Sequence, residues 1–156
     1  MALEIERKFL VTGDEWRKTD GVVMRQGYLS THPERTVRVR IEGEKATIAV
    51  KGITRGATRS EYEYDIPPGE ADELLRLCES PLIEKVRRSL EHGGFVWDVD
   101  EFLGDNQGLV VAEVELDRED RLFAKPPWVG EEVTHDPRFY NANLVANPFT
   151  KWQNPG

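Results

Sequence analysis

Cysteine is almost absent from this chain: Cys78 stands alone among 156 residues. A lone thiol excludes an internal disulfide. Its place beside Leu74, Leu75 and Leu77, in an apolar helical stripe, reads as a core position rather than a reactive one. Histidine is scarce as well. His32, His92 and His135 are scattered along the chain, which suits surface or turn positions and argues against a histidine-based metal centre. No Gly-x-x-x-x-Gly-Lys-Ser/Thr loop occurs, so a P-loop is excluded as a phosphate cradle. No serine- or cysteine-nucleophile motif occurs either. Basic residues are outnumbered, 21 Lys and Arg against 29 Asp and Glu, and the net charge of −8 argues against general binding to nucleic acid or anionic membranes. No apolar run is long enough to span a bilayer, and the N-terminus lacks a signal-peptide pattern. With the single thiol, these features lead us to expect a cytoplasmic protein. No repeat or linker divides the chain, which reads as one domain over 1–156.

What the chain does have is alternation. In an extended strand successive side chains face opposite ways, so Glu4, Glu6 and Lys8 share one face while Ile5 and Arg7 take the other. Neighbours on that face lie about 6.5–7 Å apart. The pattern recurs at Arg38 and Arg40, at Lys51 in phase with Thr47 and Ala49, at Glu61 and Glu63, and at Lys85 and Arg87. It returns at Asp98 and Asp100 and at Glu113 and Glu115, each time with mainly apolar residues opposite. An ordinary antiparallel sheet with one wet face explains any single segment. It does not explain why like charges are held together, since they repel unless opposite charge lies nearby. Seven such segments favour strands that close around a charged interior, with apolar outer faces covered by helices.

The alternation and turn signals predict strands near 2–11, 22–31, 35–42, 46–52, 59–66, 82–91, 95–103 and 109–117. Turns are expected at 42–44, 92–94 and 105–108. Asp14 is expected to cap a short helix ending at Lys18, and 69–80 to form a longer one. An irregular segment begins at Pro126, with a short helix near 137–145. Trp128, Phe139, Tyr140, Phe149 and Trp152 suit either a lid or plug formed by 126–156 or a cover for the outer wall. Trp16, Tyr62 and Tyr64 read as packing on the outside, and 153–156 as a disordered tail.

The ordered set of motifs resembles the CYTH superfamily, the triphosphate tunnel metalloenzymes. Glu4-x-Glu6-x-Lys8 is similar to that family's N-terminal signature, and the later elements follow in the family's order. Arg25-Gln26-Gly27-Tyr28-Leu29 and Asp136-Pro137-Arg138-Phe139-Tyr140-Asn141 resemble the short bacterial members that act as inorganic triphosphatases. The resemblance covers roughly residues 2–147. It implies an α+β fold, an eight-stranded antiparallel β-barrel tunnel with a charged interior and flanking helices.

The eight acids of the interior set, Glu4, Glu6, Glu61, Glu63, Asp98, Asp100, Glu113 and Glu115, face six bases, Lys8, Arg38, Arg40, Lys51, Lys85 and Arg87. The formal sum is −2, and two divalent cations would bring it to +2, ready for a small-molecule polyphosphate of about four negative charges. All-oxygen donors favour Mg²⁺ or Mn²⁺ over Zn²⁺. The residues thus suit a metal-bound polyphosphate, and the resemblance to the short bacterial members implies metal-dependent hydrolysis of tripolyphosphate to pyrophosphate and phosphate. The bases would grip substrate and the acids would hold metal; Lys8 and Lys85 are catalytic candidates, as is Tyr28, whose place resembles the family's proton acceptor. A phenol of pKa near 10 is a poor base at neutral pH unless cations depress it. Class IV adenylate cyclase and thiamine triphosphatase are further activities the resemblance allows, and a non-catalytic polyphosphate-binding module is the alternative of another class. A monomer and a homodimer both suit the apolar outer faces.

Overall fold

A computed structural model describes residues 2–152. The residues 153–156, read above as a tail, lie outside the described residues. Nine strands form one antiparallel sheet: β1 (Leu3–Val11), β2 (Val22–Ser30), β3 (Thr36–Glu42), β4 (Lys45–Lys51), β5 (Thr58–Asp65), β6 (Ile83–His92), β7 (Phe95–Phe102), β8 (Val110–Glu115) and β9 (Val129–Glu132). Their order is β5-β4-β3-β2-β6-β7-β8-β1-β9. A further pairing of β5 with β1, at Leu3–Ser60, Glu4–Arg59 and Ile5–Thr58, closes the first eight into the expected barrel. The same edge of β1 then receives β9 opposite Phe9 and Val11, so one strand serves two partners along its length. β9 was not expected. Its four residues, Val-Gly-Glu-Glu, are too few and too charged to show an alternating pattern.

The eight expected strands agree with the observed ones to within a few residues because the alternation that marks them is the barrel's own in/out pattern. The β6–β7 connection is a two-residue turn with Gly93 and Gly94 both at positive φ, as a hairpin with the native twist requires. Asp14 precedes a 3-10 turn at Glu15–Lys18 but makes no side-chain cap; the turn is held by Arg17 N–H donating to the Asp14 carbonyl.

Three apolar clusters surround the lumen. Helix α1 (Pro68–Leu77) lays Ala71 and Leu75 on the outer faces of β2, β3 and β4, against Val39 and Ala46. Cys78 packs at the edge of this cluster, and Gly27 allows the close approach: a Cβ there would sit 2.8 Å from Cys78 Cβ. The outer wall of β1, β7 and β8 carries Phe9, Trp97, Val99 and Val114, clad by Trp16, Phe123 and Trp128. The third cluster lies at one end of the barrel. There the inward phase of several strands changes from charged to apolar, at Val111, Phe102 and Ile83. Phe139, then Leu144 and Val145 of α2 (Asn143–Ala146), pack against them. Trp128 thus belongs to the outer wall, whereas Phe139, Phe149 and Trp152 belong to the barrel end. Tyr62 and Tyr64 do face outward, but they are only partly covered, at 45% and 59% exposed. Alternation assigns a residue to a face and is silent on whether that face is covered. Among the described residues no helix is long and apolar enough to cross a membrane.

Candidate functional site

The inward phases of the strands bring the charged pairs together around a cavity of about 700 Å³. That volume lies within the range of small-molecule sites. Lys8, Arg38, Arg40, Lys51, Lys85 and Arg87 all line it, as do Tyr28, Glu4, Glu6, Glu61, Glu63, Asp98, Glu113 and Glu115. Asp100 stands just behind the wall. It is 1% exposed, and its oxygens accept from Arg87 at 2.7 and 2.8 Å and pair with Lys85 at 2.8 Å. His32 and His135 are exposed, and none of the three histidines reaches the cavity.

Cross-strand register explains the pairings. Lys8 lies opposite Glu113, and its Nζ is 2.6 Å from that carboxylate and 3.0 Å from Glu6. Arg87, opposite Asp100, also donates to Glu113 at 3.1 Å. Lys51, opposite Glu61, lies 3.4 Å from it and 3.3 Å from Glu4. Arg38 donates to Glu63 at 2.9 Å through Nη2, while its buried Nε has no partner. A buried cation with an unused donor on the wall of a cavity is a site with capacity to spare.

The site also holds residues beyond the charged set read from the sequence. Arg59 donates to Glu4 at 3.2 Å and lines the cavity. It shares the phase of Glu61 and Glu63, and that phase was signal enough to find it. It raises the bases to seven against eight acids, a formal sum of −1. Gln26 is 1% exposed, its Nε2 donating to Tyr28 Oη and to Asn141 Oδ1, both at 3.1 Å. Asn141 Oδ1 also accepts from Lys85 Nζ at 2.8 Å.

Crowding sets the protonation. Burial, then the adjacent Glu113 carboxylate, pushes the Glu6 carboxyl up to about 8, so it holds a proton at neutral pH. Burial also works against Glu113, but Lys8, Arg87 and Lys85 outweigh it and hold that carboxyl well below the usual range. Glu4 is likewise held down by Lys51 and Arg59 against its burial. Glu115 is raised by burial and by Glu4, Glu61 and Asp98. Burial brings Lys85 down to about 8, Asp100 only partly offsetting it, and lowers Lys51 and Arg40. Burial also raises the Tyr28 phenol; Arg38, Arg59 and Lys8 do not cancel the effect.

Whether the acids suit a metal is answered by chemistry rather than by a ready-made cage. Among the described residues no three Asp, Glu, His or Cys side chains converge as a metal cluster. Lys8, Arg87 and Lys51 stand between the carboxylates. Yet Glu6 and Glu113 approach closely enough to share a hydrogen bond and to perturb each other strongly. A hard dication relieves that repulsion as a proton does, and an all-oxygen donor set fits one.

The chain resembles known proteins along most of its length. The CYTH domain family matches residues 2–140. A protein of Acetivibrio thermocellus named inorganic triphosphatase is 51% identical over 155 residues, covering 98% of this chain and 99% of that protein. A protein of the same name from Nitrosomonas europaea is 37% identical, covering 92% and 97%. A crystal structure described as an inorganic triphosphatase superposes with a TM-score of 0.66 at 33% identity, covering 97% of this chain and 99% of that one. A Pyrococcus horikoshii protein, 16% identical with a TM-score of 0.58 over 75% of this chain and 81% of its own, shares the fold.

Proposed function

The chain belongs to the CYTH family, and from that premise we propose that it is a metal-dependent triphosphatase of the cytoplasm, hydrolysing tripolyphosphate to pyrophosphate and phosphate in its lumen. The observation that carries the reading is the mixed wall itself. Seven cations and seven acids face one cavity. A simple anion site needs no such acids, and a metal store needs no such cations.

In this reading Arg38, Arg40, Lys51, Arg59, Lys85, Arg87 and Lys8 grip the phosphate oxygens. The arginine forks set orientation and the lysines act as point charges. Arg38, with its spare Nε, is the strongest candidate for a two-point grip. Glu4, Glu6, Glu113 and Glu115, with Glu61, Glu63 and Asp98 around the wall, would hold Mg²⁺ or Mn²⁺; when bound, such an ion supplies charge neutralisation and activates water. Asp100 faces Lys85 and Arg87 instead, and we assign it the task of orienting those two cations. Tyr28 accepts from Gln26 and keeps its own proton. With its phenol pushed up by burial, it serves as a hydrogen-bond donor to substrate rather than as a base. Phosphoryl transfer depends chiefly on positioning and charge stabilisation, so these groups suffice without a covalent nucleophile.

The test is orthophosphate release from tripolyphosphate with Mg²⁺ or Mn²⁺, run beside ATP and thiamine triphosphate. Rapid release from tripolyphosphate, stopped by chelator, is expected. Cyclic AMP from ATP, or binding without any product, would overturn the reading.

A further inference from the structure

The C-terminal segment lines the lumen with Pro137, Tyr140, Asn141, Ala142 and Asn143, and Asn141 bonds its charged wall. Asn141 follows the turn at Pro137–Phe139 and precedes α2, whose Leu144 is fully buried at the barrel end. Packing therefore anchors the backbone that carries it. The atom of Asn141 that faces Lys85 must be the oxygen, because an ammonium offers only protons.

Counting donors gives this contact a meaning. Lys85 Nζ carries three protons. One goes to Asp100 at 2.8 Å and one to Asn141 at 2.8 Å. Two fixed bonds at a tetrahedral nitrogen set the direction of the third. Gln26 braces the arrangement from the other side, spending both N–H groups of its amide, one on Asn141 and one on Tyr28. The two lone pairs of Asn141 Oδ1 are thereby both used, on Lys85 and on Gln26.

We propose that Asn141 is a positioning residue for triphosphate binding: its carboxamide oxygen holds the Lys85 ammonium so that the remaining N–H is presented to a phosphate oxygen in the lumen. The C-terminal segment is then part of the binding wall and not only its cover. Without the carboxamide, Lys85 keeps one fixed bond, to Asp100, and its other donors swing about that axis. This inference rests on the triphosphatase reading above.

The test is a double-mutant cycle on the full chain, with tripolyphosphate affinity measured by calorimetry and hydrolysis followed in parallel. Asn141→Ala should weaken affinity about tenfold, the scale of one misdirected charge-assisted bond. In a Lys85→Ala background the same substitution should change affinity by less than about twofold, because the group it orients is gone. Asn141→Leu fills the space without an acceptor and should match the alanine variant, which also covers a failure of the latter to fold. Wild-type affinity in either variant, or an equal loss in the Lys85→Ala background, overturns the inference. A wild-type chain that binds tripolyphosphate but releases no phosphate fails the functional reading alone, and the cycle still decides the role of Asn141. Absence of binding overturns both.

Discussion

Replacing Arg38 by Met should separate binding from stability. The side chain is 8% exposed, so its aliphatic stem packs and Met can replace much of that contact. Among the described residues its one hydrogen-bond partner is Glu63, whose side chain is 37% exposed and keeps Arg40 at 3.7 Å. Loss of that pair is cheap, under about 1 kcal/mol. Against it stands the buried Nε without a partner, whose removal relieves a desolvation penalty of about 1–3 kcal/mol. Folding stability should therefore hold or rise, and with about 2–4 °C of Tm per kcal/mol for a chain of this size the midpoint should not fall by more than about 3 °C. Substrate binding loses a guanidinium. At about 2 kcal/mol for a hydrogen bond to a charged group, one or two such bonds cost about 2–4 kcal/mol. That corresponds to a drop of about 30- to 700-fold in kcat/KM for tripolyphosphate. The assay is steady-state phosphate release beside a thermal melt. A melting point lowered by 6 °C or more with kcat/KM unchanged would refute the reasoning and make Arg38 a structural residue.

Glu113→Gln should abolish turnover, falling at least about 100-fold, and should destabilise by about 3 kcal/mol because Lys8 and Arg87 lose a buried partner; retained activity would remove Glu113 from the site. Gly27→Ala should cost about 1–3 kcal/mol through its clash with Cys78 and leave KM for tripolyphosphate unchanged, with denaturant melts and kinetics as the measurements. Chelator should stop phosphate release, and either Mg²⁺ or Mn²⁺ should restore it. The Arg7–Glu132 pair tests pH dependence away from the lumen. Hydrogen bonds from Arg7 hold the Glu132 carboxyl below its ordinary 4.5, so its contribution is present above that pH and is lost as pH falls through the lowered value. The Tm advantage of wild type over Glu132→Gln should accordingly shrink below about pH 4.5, and a constant advantage down to pH 3 would count against the pair.

Most of the barrel was legible because its interior is charged. In a barrel with an apolar core the inward phase is apolar and the outward phase is mixed. Here both phases announce themselves, as Arg38 and Arg40 do between Val37, Val39 and Ile41. Residues that act across long sequence separations left no such trace. Asn141 is neutral and lies 56 positions from Lys85, and only the fold brings them to 2.8 Å. Gln26 is a neutral amide among motif residues, and its inward direction follows from the phase of Met24 and Tyr28. The burial of Asp100 behind Arg87 could not be read from alternation, which gives the same phase to Asp98. β9 escaped because an annexed edge strand of four residues borrows its stability from β1 rather than from its own pattern.

The apolar clusters have a consequence for how the molecule tolerates change. Most of the greasy material of an ordinary domain sits at its centre, so altering the centre threatens the fold. Here it is cladding, divided between a helix on one flank, aromatic residues on the other and a stopper at one end. The middle is a fixed electrolyte of opposed charges. Chemistry and cohesion thus draw on largely different residues, lining and cladding. The lining can be rewritten, one compensated pair at a time, toward other polyanions while the same shell keeps the staves together.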